Sequence, residues 1–295
     1  MKKTVYYSIV FCLFFLFLHL WDVDAFIYNE AHAILHSRDN KGLEIQLNDY
    51  VLESFNKVTC QDKNLSGITF NHITQTLFAV TNRPAALYEI DKTGKCLRMI
   101  KLHNFHDTEG VVFIEDNKFA IIEEGSHRLS IIKIEMATTS VGPSDIVNSI
   151  AINLKGSDNK GFEGISYDPK NQSFYIVNEK KPMQLIRIDG IYGDTRTIKV
   201  SLEPDLIPKK LYMNDFSGLH FDLEARRLLF LSDESKLVSE VSLQGKIMSF
   251  MKLKKSFAHL TNDIPQPEGI TMDDEGNIYI VSEPNLFYKF VKTQG

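Results

Sequence analysis

Cysteine is scarce, with three residues in 295; tryptophan occurs once, and no run of lysine or arginine exceeds a pair. With so few cysteines, cross-links do not stand in for a core, and with 43% hydrophobic and 24% charged residues the chain has the material to build one. The shortage of basic runs, a formal charge of -5 and a pI near 6.0 remove the electrostatic basis for gripping a phosphate backbone, so nucleic acid is not an expected partner. Glycine-rich phosphate loops, a nucleophile elbow and an HExxH helix are also missing, which takes away the common local signatures of nucleotide, esterase and zinc-protease chemistry.

What is present begins with a targeting segment. Met1-Lys2-Lys3 gives a positive start, Ser8 to Trp21 an apolar run, and Val23-Asp24-Ala25 small residues at the spacing a signal peptidase accepts. Residues 1–25 are therefore expected to be a signal peptide or, because Val5 to Trp21 is about the shortest stretch that spans a bilayer, an uncleaved N-terminal membrane anchor. Residues 26–47 read as a spacer and 48–295 as the folded domain, in a chain exported to the periplasm or held at the cell membrane. Cys12 lies inside the apolar run, where it is a poor lipoprotein acceptor. Cys60 and Cys96 remain, and outside the cytoplasm they are open to two readings, a disulfide or two buried thiols.

The folded part repeats. Aligned on their glycines, the copies are LSGITFNHITQTLFAVTN from Leu65, TEGVVFIEDNKFAIIEE from Thr108, FEGISYDPKNQSFYIVNE from Phe162, FSGLHFDLEARRLLFLSD from Phe216 and PEGITMDDEGNIYIVSE from Pro267. Each copy runs from Ser-Gly or Glu-Gly through a β-rich strand, turns at a polar group and returns as a second strand. The glycines Gly67, Gly110, Gly164, Gly218 and Gly269 are 43, 54, 54 and 51 residues apart, a period that suits one four-stranded unit per copy. Two further strands follow each of the first four hairpins. The fifth copy stops short, and Asn48 to Val58 reads as a strand without a hairpin partner. The expected fold is all-β: a five-bladed β-propeller of four-stranded antiparallel blades, its last blade closed by the N-terminal strand, which leaves no exposed sheet end. A β-sandwich is the alternative, and the regular hairpins count against it.

In a propeller the first strand of each blade lines the axis. The residues before the repeated glycines are Ser66, Glu109, Glu163, Ser217 and Glu268; those at the ends of the second strands are Asn82, Glu124, Glu179, Asp233 and Glu283. Antiparallel pairing brings both sets to one mouth, which gathers seven carboxylates: Glu109, Glu163, Glu268, Glu124, Glu179, Asp233 and Glu283. Such a ring repels itself and raises its own pKa values unless a cation compensates. All-oxygen donors in flexible number suit calcium, whereas zinc is disfavoured because no His or Cys recurs there. His103 to Asp107 (HNFHD) is read as a blade connection rather than a zinc pair. Asp273 to Asn277 (DDEGN) is read as a hairpin turn.

LSGITF, LFAVTN, FEGISYDPKN, FSGLHFD, LSDES and, most specifically, PEGITMDDEGNIYIVSEPNLFYKF resemble the bacterial SdiA-regulated, or YjiK-like, family over about Tyr50 to Phe290. The resemblance implies a five-bladed propeller distantly akin to NHL-repeat propellers, with a calcium site at the acids just named, and export or membrane attachment. Two functions are carried forward. The first is a calcium-binding module meeting an envelope protein or small ligand, with the chain expected to be a monomer. The second is a calcium-dependent hydrolase of a phosphoester or lactone, in which the ion polarises a substrate oxygen and one glutamate acts as base.

Overall fold

The computed structural model describes residues 6–7, 9–11, 13–14, 45–60, 64–152, 161–179, 182–193, 197–209 and 211–293. Most of the expected signal or anchor over 1–25, Cys12 with it, and most of the spacer lie outside them. Among the described residues no helix is long and apolar enough to cross a membrane.

Five antiparallel sheets stand around one axis. Strand β1 (Tyr50–Lys57) precedes the first repeat. Blade one is β2 (Leu65–Asn71), β3 (Thr76–Asn82), β4 (Ala85–Ile90) and β5 (Cys96–Leu102). Blade two is β6 (Thr108–Glu115), β7 (Lys118–Glu123), β8 (Arg128–Lys133) and, after the two-residue β9 (Ser140–Val141), β10 (Ile146–Ala151). Blade three is β11 (Phe162–Asp168), β12 (Ser173–Asn178), β13 (Gln184–Asp189) and β14 (Lys199–Leu202). Blade four is β15 (Gly218–Asp222), β16 (Arg227–Ser232), β17 (Leu237–Ser242) and β18 (Ile247–Lys252). Blade five is β19 (Pro267–Met272), β20 (Ile278–Ser282) and β21 (Leu286–Lys292), with β1 as its outer strand, paired to β21 from Tyr50 opposite Lys292 to Lys57 opposite Leu286. The five-bladed architecture and its closure by the N-terminal strand are as the repeats predict. One departure is β9, which pairs in parallel with β5 and makes the first sheet five-stranded.

The inner strands β2, β6, β11, β15 and β19 pack side by side, and β19 meets β2 to complete the ring. Between each pair of neighbouring blades lies one apolar cluster. Phe78, Phe113 and Phe119 join blades one and two; Phe162, Ile131 and Phe174 join two and three; Tyr175, Phe216 and Phe230 join three and four. Leu229, Ile280 and Phe290 join four and five, while Tyr279, Leu77 and Phe287 close the ring from five to one. Blades buried on both faces explain why the second strands are continuous apolar runs, such as FAII and LLFL, rather than alternating ones. Ile45 and Leu47, within the stretch read as spacer, are buried in the junction of blades four and five, and the backbone N–H groups of Ile45 and Gln46 donate to the Glu240 carboxylate at 3.2 Å.

Cys60, just after β1, is disulfide-bonded to Cys96 at the start of β5, with a Cα–Cα distance of 5.6 Å. This decides between the two readings left open by the sequence. The DDEGN segment is a turn: Asp273 Oδ1 accepts the backbone N–H groups of Glu275 and Asn277 at 3.0 and 2.9 Å.

Candidate functional site

The acidic mouth is built by close approach of backbones. A Cβ added to Gly67 would lie 2.7 Å from the Glu109 carbonyl oxygen and 2.8 Å from the Gly110 Cα. Only glycine lets the inner strands come this near, and the five glycines form a collar around the axis. At the collar the channel narrows to a void of about 10 Å³, lined by the glycines, the apolar residues that follow them, Glu163 and Glu268. That is room for about one water-sized body.

A second device sets the residues at the ends of the second strands. The backbone N–H of Glu124 donates to the Asp107 carbonyl at 2.9 Å, that of Glu179 to Gly161 at 3.4 Å, and that of Glu283 to Gln266 at 3.1 Å. In each case the acceptor stands three residues before the collar glycine of the same blade. Gly161 is irreplaceable in this contact, because a Cβ there would lie 2.4 Å from the Glu124 carbonyl oxygen. Its own N–H donates to Glu124 Oε1 at 3.2 Å.

All seven predicted carboxylates converge on this mouth. Burial pushes Glu163 well above the ordinary carboxylate range, and repulsion from Glu109, Glu124, Glu268 and Glu179 adds to it. Glu268 is pushed up to about 9, first by burial and then by Asp233, Glu109, Glu283 and Asp215. Burial lifts Glu109 to about 7, against a hydrogen bond from Ser66 and with Glu124 adding repulsion. Glu283 is raised by burial and then by Asp233.

Two acids missing from the predicted set join them. Asp107 stands with Glu109 and Glu124 so that one carboxylate oxygen from each lies within 4.8 Å of the others. Asp215, raised by its burial, accepts the Ser232 hydroxyl and the backbone N–H of Glu234. Both lie two residues before the position that precedes a collar glycine, in Asp-Thr-Glu-Gly and Asp-Phe-Ser-Gly, an offset that could have found them. Among the described residues two cations reach the rim. Arg83 bridges Asp107 at 3.1 Å and Lys236 bridges Asp233 at 2.5 Å.

The donor set suits a hard cation. Two oxygens on one calcium ion are at most about 5 Å apart, given bond lengths of roughly 2.3–2.6 Å, which the Asp107–Glu109–Glu124 spacing meets. An amide oxygen is also left over: among the described residues Asn82 Oδ1 is buried without a hydrogen-bond partner, while its Nδ2 faces Glu109 Oε1 at 3.4 Å. A buried orphan acceptor beside crowded carboxylates is what a cation would satisfy.

Fold and collar together define a five-bladed β-propeller with one acidic, constricted mouth. The chain belongs to the SdiA-regulated family, whose model matches residues 42–291. Among solved structures it is similar to a glutaminyl cyclase from Myxococcus xanthus, at 12% identity over 82% of this chain and 95% of that one, with a TM-score of 0.57. It is also similar to a protein of unknown function from Bacteroides thetaiotaomicron, at 12% identity over 83% of this chain and 73% of that one, with a TM-score of 0.49. At such identities the likeness concerns the fold alone.

Proposed function

We propose that the acidic mouth holds a calcium ion and that the protein is a calcium-binding propeller acting as an interaction or calcium-response module of the cell envelope. The observation that carries this reading is the crowding of nine carboxylates around a collar, where burial and mutual repulsion push Glu109 to about 7 and Glu268 to about 9. Asp107, Glu109 and Glu124, with the Asn82 amide oxygen, are the residues that would hold the ion; Glu163 and Glu268 would close it from the axis. Bound there, calcium would replace repulsion with a shared partner and fix the ends of five hairpins at once. The void beneath the acids, about 10 Å³, suits an ion better than a substrate, which favours a module over a hydrolase. Placement in the envelope draws support from the apolar N-terminal run and from the Cys60–Cys96 disulfide, a bond that persists in oxidising compartments.

Thermal unfolding tests the reading. After chelation, stepwise calcium should raise the melting temperature in proportion to the logarithm of its concentration over Kd, and magnesium at equal concentration should not. A protein that contains no metal by elemental analysis and shows no calcium response would rule the site out.

A further inference from the structure

The other end of the channel differs from the acidic mouth in shape and chemistry. Beyond the collar the inner strands diverge into a vestibule of about 770 Å³. Its walls are Phe70, Phe113, Tyr167, Phe221 and Met272, one from each blade at the same position of the repeat. Its floor is the preceding residue of each inner strand: Thr69, Val112, Ser166, His220 and Thr271.

Three of these five floor residues are hydroxyls used in one direction only. Thr69 Oγ1 accepts the backbone N–H of Phe113 at 3.0 Å, Ser166 Oγ that of Phe221 at 2.8 Å, and Thr271 Oγ1 that of Phe70 at 3.2 Å. Each bond staples one blade to the next and orients the oxygen, so the hydroxyl's own proton is left to donate. Among the described residues none of the three finds an acceptor for that proton. The fourth polar floor residue, His220, has no hydrogen-bond partner for its ring among the described residues. Burial holds it down to about 4, with Asp222 acting the other way, so the ring is neutral and also carries an N–H to donate. The vestibule thus sets aromatic faces above up to four unmet donors. Its lining carries five carboxylates, Glu115, Asp222, Glu224, Asp273 and Asp274, against one lysine, Lys292, a balance that opposes the entry of an anion.

We propose that this vestibule is a binding site for a planar, uncharged small molecule that turns a carbonyl oxygen to the Thr69, Ser166, Thr271 and His220 floor and stacks its ring between the aromatic walls. The inference goes beyond the calcium reading and is independent of it, because the two sites lie on opposite sides of the collar and share no side chain.

The test uses three probes with one ring and different heads: benzamide, benzoate and benzylamine, titrated at millimolar concentration into the purified protein while the histidine ring signals are followed by NMR. Benzamide should shift the His220 ring signals saturably, and benzoate should bind at least about tenfold more weakly. His220→Phe and Thr271→Val should each weaken benzamide about fivefold, the loss of one hydrogen bond; in the His220 variant the Tyr167 ring signals serve as reporter. His220 has no partner to lose, so that variant keeps the test open should Thr271→Val fail to fold. A chelated sample should give the same result as a calcium-loaded one. The proposal is overturned if no probe moves the His220 signals saturably, if benzoate or benzylamine binds as well as benzamide, or if both variants bind benzamide unchanged.

Discussion

The side-chain amide of Asn82, at the end of the second strand of blade one, faces the Glu109 carboxylate of blade two at 3.4 Å, while its own carbonyl oxygen is buried and meets no partner among the described residues. Two blades thus contribute to one polar point, and one oxygen there is unspent. That relationship sets the expectations for the acidic mouth.

Replacing Glu163 and Glu268 together with Gln should abolish calcium-dependent stabilisation and leave a folded protein, because the blades are held by the apolar clusters between them. At alkaline pH, where these acids are ionised in the metal-free native protein, the variant should melt higher than it, since two sources of repulsion are gone; near neutral pH, where Glu268 keeps its proton, the gain should shrink. Calorimetry with and without chelator reads both effects. An undiminished calcium response would remove these two residues from the site. Asp107→Asn, which removes one negative charge, and Asn82→Leu, which removes one oxygen donor, should each weaken calcium binding about tenfold or more.

Stability without metal should fall as pH rises. Glu109 and Glu268 keep their protons in the folded protein to about pH 7 and 9, whereas the unfolded chain releases them near 4.5. Between those limits the folded state binds more protons, so the stability contribution present below about pH 4.5 is lost as pH climbs through 7 and 9. Calcium binds the deprotonated acids, so the increment it adds should grow over the same interval. Chemical denaturation at pH 5, 7 and 9, with and without calcium, separates the two trends. A metal-free stability that rises from pH 5 to 9 would contradict the repulsion described here.

Arg226→Ala should destabilise by about 3 kcal/mol, the low end of the range for breaking a buried ion pair, because Arg226 itself is partly exposed. Arg226 of blade four forks onto Asp168 of blade three at 2.8 and 2.9 Å, and the Asp168 side chain is wholly buried. The double variant Arg226→Ala, Asp168→Asn should recover part of the loss. Recovery would not follow if Arg226 acted only through its stacking on Phe221, 4.9 Å from the ring centre.

Reducing the Cys60–Cys96 disulfide should cost about 3–4 kcal/mol, since the two residues are 36 apart and the bond closes a loop of that size in the unfolded chain. A shift in the urea midpoint between the native protein and Cys60→Ser, Cys96→Ser measures it.

The propeller was legible because its repeat is written in the glycines of the collar: a backbone contact that admits no side chain leaves a residue type behind in every blade. The strand pattern followed from the same alignment, β1 included, because a fifth copy lacking its outer strand required one from elsewhere. Strand β9 was not legible; two residues carry no periodicity, and its pairing with β5 is set by the chain's path between blades. Seven of the nine acids at the mouth were found because they occupy aligned positions. Asp107 and Asp215 were missed because the corresponding residues elsewhere are Asn64, Gly161 and Gln266, so the alignment preserves a polar or small residue and not a charge. The vestibule floor was hidden for a different reason. Thr69, Ser166 and Thr271 look like ordinary strand residues, and only the packing of neighbouring blades shows that their oxygens are already occupied and their protons are not.

Ile45, the first described residue of the propeller, lines the vestibule, and its backbone N–H is held by Glu240 in blade four. The polypeptide therefore enters the propeller at the vestibule end, and the acidic mouth lies at the far end of the channel. Anything that approaches the acidic mouth therefore does so from the side of the molecule opposite to the one where the chain joins the propeller.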